Sequence, residues 1–144
     1  MHAQNIEAIW KRIRDPKHPT VLTNLGIEIT ELTAEVVRGT MPVDERTVQP
    51  YGLLHGGASV TLAETLASLG AGVHVNHKTE TVVGLEINAN HVRGVPSGKK
   101  VFGEGRPIHL GRRTQIWQME LKTEDGKLVC SSRCTIAVVA LDTK

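Results

Sequence analysis

Aromatic side chains are nearly absent from this sequence: it has two Trp, one Tyr and one Phe in 144 residues. That scarcity argues against a stacking platform for single-stranded nucleic acid and against a sugar-stacking cleft, both of which need exposed rings in series. Cysteine is equally sparse, with only Cys130 and Cys134. Four residues apart in one strand, at roughly 3.3 Å per residue, they stand too far apart to bridge. No second Cys or His pair stands beside them to complete a zinc site, so no metal is expected and both read as reduced core thiols. An excess of one charge is also missing. Lys+Arg 17 against Asp+Glu 15 leaves a formal net charge of +2 and no long basic run, which gives no footprint for nucleic acid. Nor is there an uncharged apolar span of about 18 residues or an apolar leader core, so the expectation is a soluble, cytoplasmic chain with no membrane partner.

What is present is an aliphatic composition, 40% hydrophobic and 22% charged, typical of globular proteins. The length predicts one domain over 1–144, of which 1–24 form an N-terminal helix and lead-in. Ile6, Ile9, Trp10 and Ile13 fall at i, i+3, i+4 and i+7, a short amphipathic helix stopped by Asp15-Pro16. Leu25 to Val43 is rich in β-branched residues and breaks near Thr33-Ala34, which predicts two antiparallel strands. After a loop, LLHGGASVTLAETLASLGAGVHV is rich in Ala, Ser and Gly and predicts a long helix from about Gly56 to His74. Strands follow. TVVGLEINANHVR alternates Val83, Leu85, Ile87 and Ala89 against Glu86, Asn88 and Asn90. A weaker strand over Lys99–His109, TQIWQMELK and LVCSSRCTIAVVAL complete the set, with Asp125-Gly126 predicted as a tight primed turn. The architecture expected is α+β, a long central helix wrapped by a curved antiparallel sheet. An apolar strand face at Ile116, or over Val129–Val139, is expected to drive self-association.

Three irregularities interrupt the pattern. Gln49-Pro50 precedes the long helix, His55-Gly56-Gly57 opens it, and Glu64 sits two turns in, with Ser68 at i+4 on the same face. Free N–H groups at a helix start, with the helix dipole, stabilise negative charge, and glycine admits a substrate oxygen close to the backbone. Gly56 and Gly57 are thus candidate oxyanion donors, Glu64 a candidate base or nucleophile, and Ser68 a candidate to orient water. Bland readings stand beside these. Gly56-Gly57 also suits a cap or close packing, and an isolated Glu most often faces solvent. His74 and His77 read as helix-end polar residues, since no carboxylate–histidine motif accompanies them.

The string MPVDERTVQPYGLLHGGASVTLAETLASL, followed by VVGLEINANHVR, RPIHLGRRTQIWQMEL and CSSR, resembles the hotdog-fold acyl-CoA thioesterases with the HGGA motif. Within them it is most similar to the 4-hydroxybenzoyl-CoA and 1,4-dihydroxy-2-naphthoyl-CoA type. The resemblance covers about Leu25 to Val139 and implies a hotdog fold. It implies catalytic roles for Gln49, His55, Gly56, Glu64 and Ser68, with Glu64 attacking the thioester directly or activating water. It also implies coenzyme A contacts from His91, Arg93, His109, Gly111, Arg112 and Arg133, with Arg113 adjacent. No cofactor is implied, coenzyme A being part of the substrate, and a homotetramer built as a dimer of dimers is. The alternative is a non-catalytic acyl-CoA-binding hotdog protein. A hydratase is disfavoured, because the Asp/His motif of hotdog hydratases is not found.

Overall fold

The computed structural model describes residues 1–142, so the last two positions of the expected domain lie outside the described residues. Helix α1 (His2–Arg14) ends where expected, at Asp15-Pro16, and turns Ile6, Ile9, Trp10 and Ile13 toward the core. A five-residue helix, α2 (Val21–Leu25), follows that the apolar pattern does not announce. It is nucleated by a Thr20/Thr23 capping box and stopped by Gly26 at φ 70°. Strands β1 (Glu28–Leu32) and β2 (Val37–Pro42) form a hairpin. The long helix α3 (Gly56–Val73) comes next, then β3 (Glu80–His91), β4 (Lys100–Leu110), β5 (Thr114–Lys122) and β6 (Leu128–Ala140).

The six strands make one antiparallel sheet in the order β1-β2-β4-β5-β6-β3, and α3 packs against β2 through β6. No helix among the described residues is long and apolar enough to cross a membrane. Small residues on α3 and glycines in the strands let helix and sheet approach closely. A Cβ on Gly103 would meet the Leu66 side chain at 2.8 Å, and one on Gly70 would run into the ring of Trp117. Trp117 is fully buried; its indole N–H donates to Gln115 Oε1 at 3.0 Å, and Gln115 Nε2 donates to the Ala71 carbonyl at 3.3 Å. The ring is therefore locked onto α3. At the far end of the helix, Asn5 Nδ2 donates to the carbonyls of Val73 and Val75 at 2.9 and 2.7 Å. This buried amide ties α1 to α3 and satisfies carbonyls that the end of a helix leaves without partners.

The expected apolar stretches, Ile116 and Val129–Val139, lie on the interior strands β5 and β6, and the long edge is β3. Two expectations need correction. The alternation along β3 changes phase. Val82, Ile87 and Ala89 pack on the core, whereas Val83 and Leu85 are 48% and 61% exposed. A β-bulge between Gly84 and Glu86 inserts Leu85 as an extra residue and reverses which side chains face inward. The β5–β6 hairpin, finally, is not the primed two-residue turn that Asp125-Gly126 predicts. Only Gly126 has positive φ, at 84°, and its N–H donates to Thr123 O at 2.9 Å while Thr123 N–H donates to Lys127 O at 2.9 Å. The Thr123 hydroxyl donates to the Asp125 carboxylate, and this local bond accompanies the negative φ at Asp125.

The packing at Gly70 sets two effects against each other. Replacing glycine by alanine inside a helix gains about 1 kcal/mol of propensity, but overfilling a locked core costs roughly 1–3 kcal/mol. With the Trp117 ring unable to retreat, the cost wins. Gly70→Ala is expected to lower the urea-unfolding free energy by about 1–2 kcal/mol relative to the parent.

Candidate active site

The loop between β2 and α3 is folded back on itself. Buried Thr47 donates its hydroxyl to Pro42 O at 2.7 Å, and its own carbonyl accepts from His55 N–H at 2.8 Å. Gln49 N–H donates to Leu53 O at 2.8 Å, Gly52 N–H returns to Gln49 O at 2.9 Å, and the Gln49 side-chain carbonyl accepts from Tyr51 N–H. Gln49 is thereby held, half-buried, just ahead of α3 with its amide NH2 uncommitted among the described residues.

His55 is the N-cap of α3 and does most of the capping. Its Nδ1 accepts from Gly57 N–H at 2.8 Å, and its carbonyl accepts from Ala58 and Ser59 N–H at 3.0 and 3.2 Å. An accepting Nδ1 puts the ring proton of the neutral imidazole on Nε2. Of the first four N–H groups of α3, only that of Gly56 donates to nothing among the described residues. Gly57 was an expected second oxyanion donor, but its N–H is taken by His55. Gly56 lies under the His91 ring at the end of β3, where a Cβ would meet Nε2 at 3.0 Å.

Glu64 lies two turns along, half-buried, with no hydrogen bond or ion pair among the described residues. Its carboxylate rests on β3 at Gly84, where a Cβ would stand 2.6 Å from Oε1. Ser68, one turn on, is likewise half-buried. Cys134, on β6, feels the same carboxylate: burial, then the charges of Glu64 and Glu86, push its thiol up to about 11. At neutral pH it is a neutral thiol and no nucleophile. Both cysteines are free and buried.

The basic candidates divide into groups. His91 and Arg93 are at the Gly56 end, where Arg93 Nε donates to Leu128 O at 3.2 Å. Gly111 and Arg112 occupy the β4–β5 turn at the opposite end, with His109 near the end of β4 beside them and Gly111 N–H donating to Thr114 O at 2.9 Å. Arg133 is exposed at mid-sheet, paired across β6 with Asn88 and Gln118. Thr114 and Leu121 mark the two ends on β5, so the turn is roughly 23 Å from the Gly56 end. One chain does not bring these groups together. His74 and His77 each hold a backbone carbonyl, Ala34 O at 2.8 Å and Gly72 O at 2.7 Å. Among the described residues no cluster of three His, Cys, Asp or Glu side chains could hold a metal ion.

The model of the thioesterase superfamily matches residues 51–130, more than half of the chain and the span holding Gly56, Glu64 and Ser68. The chain belongs to the thioesterase superfamily. This thioesterase is 51% identical over 115 residues to 1,4-dihydroxy-2-naphthoyl-CoA hydrolase of Escherichia coli, covering 80% of the chain and 83% of the relative. It is 45% identical over 137 residues to the proofreading thioesterase EntH of Cronobacter turicensis, covering 91% and 98%. The crystal structure of thioesterase HI1161 from Haemophilus influenzae superposes with a TM-score of 0.80 at 50% identity, over 85% of each chain. The fold is the hotdog fold and the enzyme is a thioester hydrolase acting on acyl-CoA as a class. One residue at the thioesterase site and one at the far end of α3 escape sequence reasoning. Gly84 makes room for the Glu64 carboxylate, and its only signal is a glycine inside a strand pattern, which marks a bulge or a close approach. Asn5 carries no signal beyond a polar residue on an amphipathic helix.

Proposed function

We propose that this enzyme hydrolyses acyl-CoA thioesters with small aromatic acyl groups, using Gly56 and Glu64 as its chemical centre. The observation that carries this reading is that α3 holds one N–H and one carboxylate with no partner among the described residues. Because His55 occupies the neighbouring donors, the dipole of α3 is presented to substrate through Gly56 alone. The thioester carbonyl oxygen accepts from that N–H as it becomes an oxyanion. Glu64 attacks the carbonyl carbon or takes a proton from attacking water, and both routes expel coenzyme A thiolate. Thiolate leaves readily, so little acid assistance is required. Gln49 orients the acyl carbonyl through its free amide, His55 fixes the donor by capping the helix, and Ser68 orients water. Coenzyme A enters as part of the substrate, not as a cofactor. The aromatic preference is supported by similarity to a naphthoyl-CoA hydrolase. Reduced Cys130 and Cys134 suit a cytoplasmic enzyme.

Self-association is part of the proposal. β3 is a 12-residue edge with Val83 and Leu85 exposed, and such an edge is a template for pairing. Antiparallel pairing of two β3 strands sets the Gly56 end of one copy beside the half of the partner's strand over which a Glu64 carboxylate rests. The site is then built from two chains, and further pairing of dimers gives a tetramer. Coenzyme A phosphates are proposed to meet His91 and Arg93 at the Gly56 end, and His109, Gly111, Arg112 and Arg133 from elsewhere in the assembly. Arginine forks and backbone N–H groups suit such phosphates.

Glu64→Gln is expected to fold normally and lower kcat on benzoyl-CoA by about 10²-fold or more. Gly84→Ala, which displaces the carboxylate without removing it, should give a smaller loss. Parental turnover by Glu64→Gln would remove Glu64 from the chemistry. In sedimentation, an active preparation should run as a multiple of the 15.7 kDa chain, and an active monomer would defeat the two-chain site. Arg112→Ala or Arg133→Ala should raise KM for benzoyl-CoA far more than for benzoyl-N-acetylcysteamine, with kcat nearly unchanged. Equal KM changes on the two substrates would assign these arginines to the fold.

A further inference from the structure

A cavity of about 460 Å³ opens between α1, α3 and the beginning of β3. That volume is within the range of small-molecule sites. Its apolar wall comprises Ile9 and Ile13 from α1, Leu22 from α2, Leu69 from α3 and Val82 from β3. The cavity adjoins the site along two elements. Ser68 lines it one helical turn beyond Glu64, about 6 Å farther along the axis. Val82 lines it two residues before Gly84, on the strand face over which the Glu64 carboxylate rests.

We infer that this cavity receives the acyl group, and that the N-terminal segment forms its far wall through Ile9, Ile13 and Leu22 and so sets acyl size; this rests on the thioesterase reading of Glu64. The wall is fixed in place, because Asn5 anchors α1 to the end of α3 with two buried hydrogen bonds. It also precedes the residues that define the superfamily, so it can vary while the chemical centre is kept. The rim has its own polarity. His77 is engaged with Gly72 O, and Glu80 accepts from Asn76 N–H at 3.1 Å. Arg12, also at the rim, has no hydrogen bond or ion pair among the described residues. An acyl group with an apolar body of one or two rings fits within the cavity and directs an oxygen at its far end toward Arg12. An acetyl group ends before it reaches α1.

The experiment compares kcat/KM for 2-naphthoyl-CoA and acetyl-CoA in the parent and in Ile13→Trp, which narrows the cavity from α1. The naphthoyl-to-acetyl ratio is expected to fall tenfold or more, and an unchanged ratio overturns the inference. A parent enzyme inactive on both substrates would overturn the proposed aromatic acyl-CoA activity centred on Glu64 instead. Photolabelling of the unaltered protein with S-(4-azidophenacyl)-CoA, a thioether that cannot be hydrolysed, tests the pocket without turnover or substitution. Adducts mapped by mass spectrometry to the stretch from Ile9 to Leu22 support the inference, and adducts confined to other parts of the chain overturn it.

Discussion

The close approach of α3 to the sheet is the constraint on which the rest of the molecule depends. At Gly70 the helix backbone lies against the indole of Trp117, and at Gly103 the backbone of β4 lies against Leu66, with no volume left for a methyl group. Interiors packed to this density transmit displacement instead of absorbing it. The helix therefore has one position relative to β3, and that position decides where Glu64 and Ser68 stand. A carboxylate on a loosely seated helix could not be held over a single strand glycine.

Polar groups at the two ends of α3 complement this apolar contact. His55 satisfies three N–H groups at one end, and Asn5 satisfies two carbonyls at the other, the second of them just past the helix. The two ends serve different purposes. At the N-terminus capping is incomplete by one donor, which is the group a carbonyl oxygen can use. At the C-terminus it is made by a residue 68 positions away in sequence, which draws the first helix onto the last turn.

Much of this was legible in the sequence because element type follows from periodicity. Strands β3 through β6 fall within a residue or two of the predicted runs, and α3 begins at the glycine pair that was expected to open it. The glycine pair and the lone glutamate stood out because they broke those periods. What periodicity cannot express is lateral order. Interior and edge strands alternate in the same way, so nothing local to β3 announced that it lies at the edge instead of β5 or β6. Side-chain bonds over long separations were equally invisible, as with Asn5, and so were local ones that reshape a turn, as between Thr123 and Asp125. The basic residues were easily found by type, yet only the register of the strands shows that His91 and His109 stand at opposite ends of the sheet.

The bulge at Leu85 gives β3 a parity. On one side of it the even-numbered residues Val82 and Gly84 face the helix, and on the other side the odd-numbered Ile87 and Ala89 do. A strand that kept Leu85 in regular alternation, with no bulge, would turn Glu86 and Asn88 into the core to keep Gly84 inward, or turn Gly84 away to keep Ile87 inward. Removing or adding a single residue of β3 other than Leu85 is thus a change of phase, not a change of length. The strand can be lengthened or shortened only in steps that preserve both halves at once, which ties the seat of the carboxylate to the integrity of the core beside it.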